Sequence, residues 1–136
     1  MALHILKLCV GVDTLQELAD WQAARLKQMK GPRKLLSHVT RMTPKRRDEI
    51  LDGGSLYWVI KGQIAARQPI VDLRPAVKNG HPSCAIVYEP ALVPVARRLH
   101  RPFQGWRYLK ADDAPPDLPG GMSGELGAEL AALGLL

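Results

Sequence analysis

The sequence predicts an α+β domain: two N-terminal helices packed on a compact, mostly antiparallel, β-barrel-like sheet, with a weak C-terminal helix. Three observations lead there. Five or six short runs rich in branched and aromatic residues read as strands. Two helical segments, each with a recognisable start signal, precede Gly53. Beyond Gly54 the strands are joined by Gly, Asn and Pro turns rather than by helices, which argues against a doubly wound α/β fold.

Residues 3–10 alternate loosely and are rich in Leu, Ile and Val, a first strand. Asp13 and Thr14 open a helix, with Thr14 and Glu17 at capping-box spacing. Leu15, Leu18, Ala19, Leu26 and Met29 trace its apolar face as far as Lys30, where Gly31-Pro32 ends it. Trp21 and Arg25 stand at i, i+4 on the flank, with Trp21 expected at the edge of the core. Residues 35–42 make a second strand, and Thr43-Pro44 starts a short helix with proline at its first position. Lys45, Arg46 and Arg47 then fall in its first turn, where each cation opposes the helix dipole by about 0.3–1 kcal/mol.

Gly53-Gly54 is a break before a strand at residues 56–60. Gly62-Gln63 fits the Gly-X pair of a type II′ hairpin, which sets Lys61 against Ile64, Trp58 against Arg67 and Tyr57 against Gln68. A guanidinium beside an indole there would make a stacking surface. Pro69 interrupts the returning strand, implying an edge or bulge, before residues 70–73 resume. Asn79-Gly80-His81-Pro82 is a turn, residues 83–88 a buried strand, and residues 93–99 a further strand carrying Arg97 and Arg98. Residues 1–111 thus form a single α+β domain, and residues 112–136 an acidic Pro/Gly linker followed by a weak terminal helix. That helix shows Leu126, Leu130 and Leu133 on one side and is weakened by Gly124 and Gly127.

At 136 residues the chain has room for one domain, burying roughly two-thirds of its unfolded surface without metal or disulfide staples. Its composition, 46% hydrophobic and 24% charged, excludes disorder. The longest apolar runs, such as residues 84–88, fall far short of the roughly 20 residues a bilayer crossing needs. The N-terminus has no basic region leading into a long apolar stretch, so no export signal is expected. Cys9 and Cys84 sit in apolar runs far from CxxC spacing and read as reduced thiols of a cytoplasmic protein.

The net charge of +6 is unevenly spread. Between Asp20 and Asp48 there are nine basic residues and no acid, whereas nothing after Lys110 is basic and five acids follow. A basic body suits a polyanionic partner, because each phosphate it neutralises releases a counterion; the plainer alternative is a charged surface that keeps the domain soluble. The densest signal is Arg101-Pro102-Phe103-Gln104-Gly105-Trp106-Arg107-Tyr108, with three of the chain's seven aromatics within six residues. Aromatic faces stack on bases at about 1–3 kcal/mol each, and guanidinium groups fork to phosphate or base edges. The competing reading is a packing loop in which Phe103 and Trp106 plug the sheet while Arg107 reaches outward.

Catalytic signals are weaker. His4, His38, His81 and His100 lack metal-ligand spacing, so no metal site and no cofactor are expected. No Ser lies in G-x-S-x-G, and Gly120-Gly121-Met122-Ser123-Gly124 lacks the Lys of a phosphate-binding loop. The chain is read as leaning away from enzyme activity, with no catalytic residue assigned.

The runs Thr40-Arg41-Met42-Thr43-Pro44-Lys45-Arg46, Gly53-Gly54-Ser55-Leu56-Tyr57-Trp58-Val59-Ile60-Lys61-Gly62, Arg67-Gln68-Pro69-Ile70 and Phe103-Gln104-Gly105-Trp106-Arg107-Tyr108 resemble a family of small bacterial proteins filed as a domain of unknown function. The order of elements is also similar to the PUA-like superfamily, which includes ASCH and EVE domains. That likeness implies a pseudobarrel binding RNA or a modified base in a cleft between strands and a helix. The expected function is therefore binding of RNA, ahead of DNA, or of nucleic acid carrying modified bases. Arg41, Lys45, Arg46, Arg97 and Arg98 would hold phosphates, Trp58 and Trp106 would stack, Gln104 with Arg107 would contact a base, and Arg67 and Arg101 would complete the nucleic-acid-binding set. The alternatives are a small hydrolase of a nucleotide or amide, with His100, Glu89 or Asp72 as acid–base group, or a protein-interaction module, including a homodimer through the C-terminal helix. No membrane partner is expected.

Overall fold

The computed structural model describes residues 2–31 and 34–119. Along the chain run β1 (Leu3–Leu8), α1 (Leu15–Gln28), β2 (Leu36–Thr40), α2 (Arg47–Leu51), β3 (Ser55–Ile60), β4 (Gln63–Lys78), β5 (His81–Tyr88), β6 (Val93–Leu99) and β7 (Trp106–Lys110), followed by a 3-10 turn at Ala111–Asp113. The seven strands form one mixed sheet in the order β2-β5-β4-β3-β1-β7, with β6 also beside β4. Only β1 and β3 pair in parallel; every other ladder is antiparallel. The α+β class stands, but the ladder does not close into a barrel: β2 and β7 are its two ends. Among the described residues no helix is long and apolar enough to cross a membrane.

The Thr14 hydroxyl accepts the Glu17 amide at 3.1 Å, so α1 begins where the capping-box spacing places it. Its buried residues are Leu15, Leu18 and Gln22. Trp21 is not at the core edge but 50% exposed, with the Arg25 guanidinium 5.1 Å over its ring. The second helix starts later than Thr43-Pro44, which moves Lys45 out of its first turn and makes Arg46 its N-cap. Asp48 and Glu49 then occupy the first turn, and Glu49 pairs with Arg46. Of the three cations expected in the first turn only Arg47 stays there, beside these two acids.

The hairpin register also differs from expectation. Lys61 and Gly62 both have positive φ, at 49° and 75°, so the two-residue loop is of type I′ and joins Ile60 directly to Gln63. A bulge between Trp58 and Val59 then sets Trp58 opposite Ala66 and Tyr57 opposite Arg67. Because side chains alternate along a strand, this one-residue shift separates Trp58 from Arg67 and abolishes the supposed stacking surface. Pro69 does not end β4, which runs on past it, but the implied bulge is there, as a register shift between Ile70 and Asp72. Gln63 to Arg67 lie between β3 and β6, Pro69 pairs with Ser55 of β3, and from Ile70 onward the strand pairs with β5. Before β3, Gly54 is obligatory, since a Cβ there would press into the carbonyl oxygens of Ile50 and Leu3.

The core has two layers on opposite faces of β1 and β3. Leu3, Ile5, Leu56, Trp58 and Ile60 pack on one side with Leu15, Leu18, Leu36, Ile86 and Tyr88. Leu6, Tyr57 and Val59 pack on the other with Ile64, Val95 and Leu109, joined by Phe103. Within the acidic segment expected as an exposed linker, Pro116, Asp117 and Leu118 run alongside β6. The Ala96 amide donates to Pro116 O at 2.8 Å and the Leu118 amide to Pro94 O at 2.9 Å. Asp117 meets Arg67 in a bidentate pair, both contacts at 2.7 Å. The terminal helix expected at residues 123–133 lies outside the described residues.

Candidate functional site

Two cavities share one wall, Lys7 of β1. The smaller, of about 270 Å³, lies between the end of β2 (Val39 to Met42), Lys78 of β4, and the Gln104 to Arg107 stretch that leads into β7. Its lining carries Lys7, Arg41, Lys78 and Arg107 and no carboxylate. The larger, of about 730 Å³, lies between α1 and the sheet, walled by Trp21 and Arg25 on the helix and by His38, Trp58 and Tyr88 on the strands. Glu17 and Asp20 also line it from α1.

Side chains rather than strand pairing bring the two free edges of the sheet together here. The Trp106 indole donates to Met42 O at 2.8 Å. The Tyr108 hydroxyl accepts the amides of Lys45 and Arg46 at 3.1 and 3.3 Å. Alternation along β7 places both rings on one face, where they meet edge to face at 4.8 Å. Arg107 lies 5.4 Å over the Phe103 ring while one of its terminal nitrogens donates to the carbonyls of Gln104 and Trp106. The loop is thus both a plug, through Phe103, and a presented cation, through Arg107.

The floor of the larger cavity is held by buried amides. Gln68 is fully buried and exchanges two hydrogen bonds with Gln22 of α1, at 2.7 and 3.0 Å. Its carbonyl oxygen also accepts the Trp58 indole N–H at 2.8 Å. Burial first, then the positive charges of Lys7, Lys78 and Arg25, push the His38 imidazole down to about 4. Burial pushes the Cys9 thiol up to about 11 and the Tyr88 phenol up to about 12. These three walls are uncharged near neutral pH.

Of the residues expected at the site, the structure brings Arg41, Gln104, Trp106 and Arg107 together around the smaller cavity. Lys45 and Arg46 sit beside it through Tyr108, with the Arg46 guanidinium 5.7 Å over that ring. Trp58 is 4% exposed and faces the larger cavity, not a surface stack. Arg67 is engaged with Asp117 and the Ser55 hydroxyl. Arg97 and Arg98 stand on β6, where Arg98 donates to Asp113 O, and Arg101 is exposed in the β6–β7 connection; none of the three lines either cavity. Of the suggested acid–base groups, Asp72 is bound by Arg47 and Arg74, and the His100 ring lies against Arg101 O. Among the described residues no three His, Cys, Asp or Glu gather to hold a metal ion.

Sequence reasoning missed Lys7, Lys78, Trp21, Arg25, His38 and Tyr88 as site residues. Lys7 had a signal, a lone charge inside an otherwise apolar strand. His38 and Tyr88 had none beyond their place in strands. No curated protein and no solved structure matches the chain. Residues 5–136 match the family described as a protein of unknown function, DUF1489. With nearly its whole length matched, the chain belongs to the DUF1489 family.

Proposed function

We propose that the chain binds a single strand of RNA, or of nucleic acid carrying modified bases, with phosphates in the smaller cavity and one unstacked base in the larger. The observation that carries this reading is the pair of cavities that share Lys7, one lined by four cations and no acid, the other by aromatic rings with Glu17 and Asp20 on its helix side. Cations at that density favour a polyanion. A cavity of about 730 Å³ lies in the range of small-ligand sites, and aromatic walls suit a planar ring. A stacked, paired base cannot enter such a cavity, so the reading favours single strands over duplex. Arg41, Arg107, Lys7 and Lys78 hold phosphates, Gln104 and Trp106 line their cleft, and Lys45 and Arg46 extend the basic rim. The PUA-like pseudobarrel remains an analogy of layout, a helix over strands with a cleft between them, and carries no weight of its own.

The test is fluorescence anisotropy with short single- and double-stranded RNA and DNA at several salt concentrations. Single-stranded RNA binds in the micromolar range or tighter, and Arg41→Ala and Arg107→Ala each reduce the salt slope by about 0.7. Binding that ignores both substitutions leaves a generic basic surface and refutes the site.

A further inference from the structure

Trp58 is flanked at its edges by two rings that carry unused polar atoms. The His38 ring lies 5.9 Å from it at 89°, and the Tyr88 ring 6.1 Å at 73°. The β2–β5 register explains the cluster: His38 faces Ile86 and Leu36 faces Tyr88, so the two rings are diagonal neighbours on one face of the sheet. Tyr88 is only 1% exposed, and both rings line the larger cavity. Among the described residues neither the Tyr88 hydroxyl nor either His38 nitrogen has a hydrogen-bond partner in the protein. A buried hydroxyl without a partner costs free energy, and natural interiors pair nearly all such groups. The neighbouring Gln22–Gln68–Trp58 network, where every amide is paired, shows that this core satisfies polar groups where only structure is at stake.

We infer that Tyr88 and His38 are the specificity-determining pair of the larger cavity, reading the hydrogen-bonding edge of an uncharged heteroaromatic ring of nucleobase type. The inference rests on the proposed nucleic-acid reading and adds the residues that select the base. Burial, and after it the charges of Lys7 on β1, Lys78 on β4 and Arg25 on α1, keep His38 neutral, so its ring offers one donor and one acceptor. The other titratable groups lining the cavity are Cys9 and Tyr88, both uncharged at neutral pH, and Glu17 and Asp20 on α1. Tyr88 adds a hydroxyl that donates or accepts as the ligand requires.

The experiment titrates the four ribonucleoside 5′-monophosphates, and ribose 5-phosphate as the base-free control, into the full chain by saturation-transfer NMR. The wild type binds at least one nucleotide more tightly than ribose 5-phosphate. Tyr88→Phe weakens that nucleotide about fivefold or more, the loss of one net hydrogen bond, yet leaves the denaturant midpoint of the free protein unchanged or raised. That split separates a ligand-facing hydroxyl from a structural one. His38→Phe weakens the same nucleotide, whereas His38→Gln, which keeps a donor and an acceptor, retains binding with an altered order among the four bases. Wild-type binding by both phenylalanine variants, or a lowered midpoint for Tyr88→Phe, overturns the inference. Oligonucleotide binding that depends on Arg41 and Arg107, without preference for any nucleotide over ribose 5-phosphate, overturns it and leaves the broader reading standing. Absence of both kinds of binding overturns both.

Discussion

Replacing Gln68 by Leu tests whether the amide network holds the larger cavity in shape. In the native chain Gln68 accepts from the Trp58 indole and from Gln22, and donates to Gln22 and to Glu89 O. Leucine fills similar volume but leaves the indole N–H and both ends of the Gln22 amide without partners. Gln22 is 3% exposed and Trp58 4%, so water reaches them poorly. At about 1–1.5 kcal/mol for each of three orphaned groups, the loss comes to roughly 3–4 kcal/mol. That is a large part of the roughly 5–15 kcal/mol that holds such a domain together. Equilibrium urea unfolding, followed by indole fluorescence and far-UV circular dichroism, measures it. The double variant Gln22→Leu/Gln68→Leu removes both amides together and orphans only the indole, so it costs less than the sum of the two single changes. A single-variant loss under about 1 kcal/mol, or strictly additive single effects, refutes the argument, because the amides would then be solvated rather than paired with each other.

Three further outcomes follow from the same structure. Trp106→Phe removes the indole bond to Met42 O, costs about 1 kcal/mol, and speeds hydrogen exchange in residues 40–46; unchanged exchange there would show that side chains do not bridge the sheet edges. Arg67 holds the Asp117 carboxyl below its ordinary range, so this pair stabilises above the unfolded aspartate value near pH 4 and is lost as pH falls through the folded value. Asp117→Asn therefore destabilises by about 1 kcal/mol at pH 7, with a gap from wild type that closes as pH falls below about 4, read from urea midpoints across pH; a gap independent of pH counts against the pairing. Gly54→Ala forces a Cβ into two backbone oxygens that cannot move independently and costs about 3 kcal/mol or more, visible as a lowered melting temperature; a tolerated alanine contradicts the close approach.

Much of the candidate site was legible in linear order. The acid-free basic stretch contains Arg41, and the arginine-aromatic run contains Gln104, Trp106 and Arg107, which meet at one cleft. Charge and aromatic density show in a sequence because they are local in the chain. The pairing of Trp58 with Arg67 was misread because a bulge shifts the register without any compositional mark, although Trp58 does line the larger cavity. Arg67 was misplaced because its partner, Asp117, comes from a segment whose prolines and acids read as solvent-exposed. The Lys61-Gly62 turn was missed because Gly in either central position suits a two-residue hairpin, and only the dihedrals separate type I′ from type II′.

What the amino-acid sequence by itself determined is the α+β class, the capped first helix, most strands, and the family to which the chain belongs. These depend on periodicity, turn residues and motifs, which act over a few positions at a time. Only the tertiary structure decided that the sheet stays open, that Trp106 and Tyr108 bridge its edges, and that Lys7 lines both a basic cleft and an aromatic cavity. The partnerless Tyr88 hydroxyl likewise emerges only from packing. Such features arise from contacts between residues far apart in the chain, whose geometry is set by ladder register and by the close packing of α1 against the strands.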